Sequence, residues 1–210
     1  MPPAQSPLDY HAAQQLENIA RGSARLWLVL WQPELADPTD VVKSELMTKA
    51  QRLGVGQDFQ GMALLLFDLQ DHTPFGNGPQ HVTDRRFAEP IVLAGYDLSA
   101  TSRAPGESLE LALYWRASAE RIAGNYTIFT HLLAPDGRLV DGSDHIAGAD
   151  NYPTSLWRSG TFIRNTFALR VPTDAPPGAY NIEVGLYYVY GRLRLTDGTD
   201  RIVLTQIVVK

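Results

Sequence analysis

No cysteine occurs among the 210 residues, which excludes a disulfide framework, a thiolate nucleophile and a cysteine-based zinc site. Long apolar runs are missing too. The strongest two, Leu26 to Trp31 and Met62 to Phe67, are far shorter than the roughly 20 residues that cross a bilayer as a helix. Nor does either charge dominate: 18 basic and 23 acidic side chains give a net charge of −5 and are spread along the chain. Without a basic stripe there is nothing to neutralise a phosphate backbone or to hold an anionic membrane surface, so nucleic acid is excluded as a partner. The start, Met1 to Pro7, lacks both the positive and the apolar region of a signal peptide and reads as a short disordered arm or a cut end.

What remains is ordinary globular composition, 44% apolar and 20% charged, in a length of about 1.4 average domains. From Tyr10 to Arg21, Ala13, Leu16, Ile19 and Ala20 recur at helical spacing, and Gly22 ends the helix. The run Leu26 to Trp31 reads as a strand covered on both faces. Asp37-Pro38-Thr39-Asp40 is a helix start, an Asp cap followed by Pro, with Val42, Leu46, Ala50 and Leu53 as the buried stripe up to Gly54. Met62 to Leu69 is a second buried strand. Strand, helix, strand predicts a parallel βαβ unit. With two strands it is incomplete, and a further strand is either cut off or supplied by a partner.

Residues 76–89, rich in Gly, Pro, Asn and Asp, read as a linker between a partial α/β unit at 1–75 and a second domain at 90–210. There the pattern changes to period two. Leu109, Leu111, Leu113 and Trp115 share a face, as do Ile163, Phe167, Leu169 and Val171, and Tyr180, Ile182, Val184, Leu186 and Tyr188. Tyr126 to Leu133 is apolar on both faces and suits a central strand. Pro90 to Leu98 and Arg201 to Val209 complete the set, with turn chemistry between strands. This grammar predicts an antiparallel β-sandwich of immunoglobulin-like or jelly-roll type. Asp174 to Tyr180 has the form of a corner at which a Tyr hydroxyl bonds back to the chain.

Catalytic chemistry is sparse. Gly54-Val55-Gly56-Gln57-Asp58-Phe59-Gln60-Gly61 follows a helix and precedes a strand, the reverse of a dinucleotide loop. No Walker loop, nucleophile elbow or His-Glu-x-x-His pair is present. His131 lies inside a two-faced strand and reads as a core imidazole. Asp68, Asp71 and His72 gather at a strand end. Asp136, Asp141, Asp144 and Asp150 fall in a Gly-rich stretch; hard oxygen ligands on a flexible loop make Asp136, Asp141 and Asp144 a candidate Ca2+ site. In Asn151-Tyr152-Pro153-Thr154-Ser155-Leu156-Trp157-Arg158, Tyr152 and Trp157 could stack a sugar ring while Asn151 and Arg158 bond its hydroxyls. The alternative use of Trp157 is a plug over the sandwich end.

Two stretches carry a resemblance. Arg25 to Trp31 with Asp37-Pro38 and Phe59 to Leu69 resembles the end of the soluble region of bacterial membrane glycosyltransferases of the dolichyl-phosphate-mannose–protein mannosyltransferase type (family 39). Phe129-Thr130-His131-Leu132-Leu133, Asp136-Gly137, Tyr152-Pro153-Thr154 with Trp157 and Gly160, Pro176-Pro177-Gly178-Ala179-Tyr180 and Val184 to Tyr187 resemble a module appended to those proteins. The resemblance implies an extracytoplasmic accessory region. The family's catalytic acid and lipid-sugar site belong to the membrane-embedded part, so no catalytic residue carries over. The expected function is non-catalytic, binding or positioning a glycan or acceptor beside that part. The alternative is a purely structural interaction module, and an independent hydrolase or transferase comes third. Exposure of Tyr152 and Trp157 separates the first two.

Overall fold

The computed structural model describes residues 7–55 and 61–210; the terminal reading for Met1 to Ser6 and the middle of the Gly54–Gly61 stretch lie outside them. The chain divides after Gly78 into two compact units.

In the first unit, α1 (His11–Ala20) is followed by β1 (Arg25–Trp31), a single turn α2 (Pro33–Ala36), α3 (Val41–Lys49), β2 (Gln51–Val55) and β3 (Met62–Asp68). The buried face of α1 is Ala13, Leu16 and Ala20; Ile19 points to solvent. Asp37 starts α3, though not from the first flanking position. Its buried carboxylate reaches forward to accept the backbone N–H of Val41 (2.8 Å) and Val42 (2.9 Å), which are otherwise orphaned at a helix start. Burial raises the Asp37 carboxyl above its ordinary range, while these two donors pull it the other way.

The helix stops at Lys49, short of the expected Gly54, because the chain from Gln51 is drawn into a sheet. That sheet has the order β1-β3-β2 and is antiparallel throughout, not the parallel βαβ unit expected. An alternation of helix and strand fixes the elements but not the direction of the return. Here β2 and β3 are sequence neighbours and pair directly, with Leu53 as the extra residue of a bulge. The inner face, Leu26, Leu28, Leu30, Leu65 and Phe67, packs on Leu16, Ala20 and Leu46.

The end of the expected α/β unit and the first residue of the expected linker form a strap on this unit. Phe75 is buried, and its N–H donates to Glu17 Oε2 (3.0 Å), as the Gly76 N–H does to Glu45 Oε2 (3.1 Å). Glu45 is itself buried and paired with Lys49 at 2.8 Å. Gly76, at φ +62°, lies against the α1 backbone where a Cβ would come within 2.5 Å of the Gln14 nitrogen.

The rest of the expected linker is a strand. β4 (His81–Arg86) opens the second unit and is followed by β5 (Ile91–Leu98), β6 (Ser102–Arg103), β7 (Ser108–Ala117), β8 (Thr127–Leu133), β9 (Leu139–Ile146), β10 (Gly148–Ala149), β11 (Tyr152–Pro153), β12 (Phe162–Arg170), β13 (Gly178–Tyr188), β14 (Gly191–Arg192) and β15 (Ile202–Val209). They form a β-sandwich. One sheet has the order β12-β7-β5-β4 and the other β6-β15-β13-β8-β9, with β14 on the end of β13. All pairings are antiparallel except β15 with β6. The period-two faces meet as expected: Leu109, Leu111, Leu113, Trp115, Ile163, Phe167 and Leu169 oppose Ile128, Leu132, Tyr180, Ile182, Val184 and Leu186 in one buried cluster. Tyr188, beyond the core, is exposed. The Tyr180 hydroxyl donates to Pro176 O at 2.9 Å, which is the expected corner.

Candidate functional site

The aromatic loop is not a platform. Trp157 is fully buried and Tyr152 is 4% exposed, because β10 and β11 fold the segment inward over the end of the sandwich. The Trp157 indole N–H donates to Tyr152 O at 3.2 Å. Gly148, at φ +92°, makes room for the ring: a Cβ there would lie 3.0 Å from Trp157 Nε1 and closer still to Tyr152 O. Buried Thr154 bonds Gly124 O (2.7 Å) and the Tyr126 N–H (3.1 Å), closing the plug. Asn151 and Arg158 stay outside, and Arg158 Nη1 donates to Leu156 O and Trp157 O. Two of the four expected sugar contacts are thus core and two are surface.

The calcium constellation does not assemble either. Asp141 and Asp144 lie on β9, a strand rather than a flexible loop, and Asp136 lies in the turn before it. Each carboxylate has its own work: Asp136 accepts the Arg138 N–H, Asp141 the Arg170 N–H and Asp144 the Tyr187 hydroxyl. Among the described residues no group of three metal-ligating side chains gathers anywhere. Asp68 caps Gln70, and His72 is held between Leu69 O (2.6 Å) and Glu17 Oε2 (3.2 Å), stacked on Phe75. That cluster serves the strap. The Phe75 N–H, with His72 behind it, holds the Glu17 carboxyl below its ordinary value.

A groove of about 670 Å3 runs along the open sandwich edge, lined by Ser99, Ser108, Glu110, Ser143, His145 and Thr166 over Phe167. Ser143 Oγ lies 3.3 Å from His145 Nε2, and the imidazole stacks on Phe167 at 4.7 Å. Among the described residues no carboxylate orients the other ring nitrogen, so this Ser–His pair lacks the third member that would activate it.

Two surface features remain, one in each unit. In the first, the outer face of the three-stranded sheet is bare and apolar. β1 alternates instead of being covered on both sides, leaving Trp27 60%, Val29 55% and Trp31 64% exposed. Their partners directly across β3 are Leu66, Leu64 and Met62. In the second, the outer face of β9-β8-β13 carries Asp144, Phe129, His131, Glu183 and Tyr187, with Arg192 from β14 lying over Phe129 at 4.5 Å. His131 is half-buried here and faces outward, not into the core as expected. Burial and Arg192 hold its imidazole below the ordinary value, and Asp144 and Glu183 act the other way. The hydrogen bond to Asp144, with burial, raises the Tyr187 phenol. The sequence placed Glu183 outward, but not His131; the signal was the alternation of Ile128, Thr130 and Leu132 against Phe129 and His131.

The sequence matches no protein-family model and no curated protein. Among solved structures, the C-terminal domain of Wzt is similar at 12% identity with a TM-score of 0.44, covering 63% of this chain and 81% of that one. A Niemann-Pick type C2 protein from the Japanese carpenter ant is similar at 9% identity and a TM-score of 0.36, covering 63% and 97%. The CARDB domain of a Pyrococcus furiosus protein follows at 8% and 0.37, covering 61% and 95%.

Proposed function

We propose that this chain is a non-catalytic docking region of a larger protein, fastened to the remainder through the outer face of β1 and β3. The observation that carries this reading is the exposed set Trp27, Val29 and Trp31, each opposite another apolar side chain. A contiguous apolar patch of this kind on a folded unit marks a surface meant to be covered. Strands of seven, seven and five residues, at about 4.8 Å spacing and 3.4 Å rise, give a footprint of roughly 310 Å2. Two such faces together fall well below the ~1,200 Å2 of a stable free interface. A partner tethered in the same polypeptide does not need that area, because the tether supplies a high effective concentration. On the resemblance borne by Arg25 to Leu69, the remainder is a membrane-embedded glycosyltransferase, and the chain stands on its extracytoplasmic side.

The double substitution Trp27→Ser/Trp31→Ser tests the face itself. The isolated chain should bind the apolar dye anilinonaphthalenesulfonate, and the variant should lose most of that fluorescence while unfolding within about 1 kcal/mol of the parent. A loss of several kcal/mol with unchanged dye binding would mean that the two tryptophans are core.

A further inference from the structure

We infer that the outer face of β9-β8-β13 binds a neutral polyhydroxylated ligand, a short glycan segment, between Asp144, His131, Glu183 and Tyr187. The strand register sets these groups side by side. His131 sits across from Glu183 on β13 and from Gly142 on β9; Phe129, two residues earlier, sits across from Gly185 and Asp144. Both glycines have a local purpose. A Cβ on Gly185 would lie 2.5 Å from the Phe129 ring, and one on Gly142 would lie 3.2 Å from His131 Cδ2. Without side chains at those two positions, the rings lie down over the sheet instead of standing between neighbours. The centroids of Phe129 and His131 are 4.7 Å apart, and Tyr187 closes the patch 6.5 Å from Phe129.

Around these rings are hydrogen-bonding groups with capacity left over. The Tyr187 hydroxyl donates to Asp144 Oδ2 at 3.0 Å and Arg201 Nε donates to Glu183 Oε1 at 3.1 Å. Asp144 Oδ1, Glu183 Oε2 and both His131 nitrogens have no protein partner among the described residues. Carboxylate oxygens accept from two hydroxyls and a neutral imidazole both donates and accepts; Phe129 is 2% exposed beneath Arg192, so the C–H groups of a ligand would meet the partly exposed rings of His131 and Tyr187. That is the surface chemistry of a sugar: polar edges and an apolar face. Asp144, Glu183 and Asp200 border the patch, and Arg192 and Arg201 are both engaged with Asp200. Arg201 also pairs with Glu183, so three carboxylates and two guanidiniums leave the patch one negative charge in excess, centred on Asp144, which disfavours an anionic ligand relative to a neutral one. From Asp144 to Glu183 the patch crosses two strand spacings, about 10 Å, enough for one or two sugar rings.

The test is a nuclear magnetic resonance titration of the whole chain with maltotriose, cellotriose, mannotriose and triacetylchitotriose. Glucose and mannose test for a lone-sugar site, and glucuronate and inorganic phosphate are the anionic probes. We expect at least one neutral trisaccharide to shift the resonances of 129–131, 142–144 and 183–187, weakly and saturably, with the anionic probes silent. Glu183→Gln and Tyr187→Phe, both near-isosteric, should each weaken binding about tenfold with the melting temperature retained. His131→Ala should do the same. No response to any neutral probe overturns the inference. So do preferential binding of phosphate or glucuronate, binding of monosaccharides alone, and shifts confined to 151–158 or to the Ser143–His145 groove.

Discussion

A tryptophan on an Asn/Pro/Ser/Gly-rich connection can stack a ligand or close a core, and the local sequence looks the same for both. Trp157 does the second: its indole N–H is satisfied within the fold and Gly148 is shaped to it. Trp157→Ala should then cost about 3–5 kcal/mol, the usual result of emptying an aromatic site, read from the urea midpoint at unchanged slope. A cost under 1 kcal/mol would contradict the plug. His131 presents the opposite case, a residue read as core that lies on an outer face. Because its folded-state value is depressed, the unfolded chain holds the proton more tightly. Its contribution is complete above the ordinary imidazole value of 6.5 and is lost as pH falls through the folded-state value. Stability should therefore drop between pH 7 and pH 5, and His131→Asn should remove part of that drop. An identical pH profile in the variant would contradict the assignment.

At the scale of elements, the sandwich strands were legible because period-two alternation is a direct image of one buried face. Leu109 to Trp115 and Tyr180 to Leu186 need no tertiary knowledge to be placed. The misreadings arise where a short apolar run has two physical outcomes. Leu26 to Trp31 has the composition of a fully covered strand, yet only Leu26, Leu28 and Leu30 meet the core, and an exposed tryptophan is written with the same letter as a buried one. The stripe through Ala50 and Leu53 continued a helix on paper, but pairing with β3 outweighs the helical propensity of those last residues. β4 and β9 were hidden for another reason. His81–Arg86 and Leu139–Ile146 are polar edge strands, rich in the Asp, Arg, Ser and Gly that also build loops. Asp141 and Asp144 therefore looked like loop ligands for a cation and are side chains of a strand. The two cross-strand glycines beneath Phe129 and His131 become visible only once the register is known.

At the scale of the molecule, the two units differ in how completely they bury themselves. The sandwich encloses its core between two sheets, whereas the first unit covers one face of its sheet and leaves the other apolar and bare. The sequence reading expected two strands and a further one cut off or supplied by a partner; the third strand is β2, drawn from this chain's own residues 51–55, and what the first unit leaves open is a face of the sheet. If the chain is part of a larger polypeptide, as proposed, what covers that face in the larger protein decides the proposed role. The direct measurement is to replace Val29 with p-benzoylphenylalanine in that protein, irradiate it in cells and identify the joined peptides by mass spectrometry. Cross-links from position 29 to a segment of the same polypeptide outside these 210 residues are the expected result. Cross-links only between two copies of this chain, or none at all above the level of an exposed control at position 203, would contradict it.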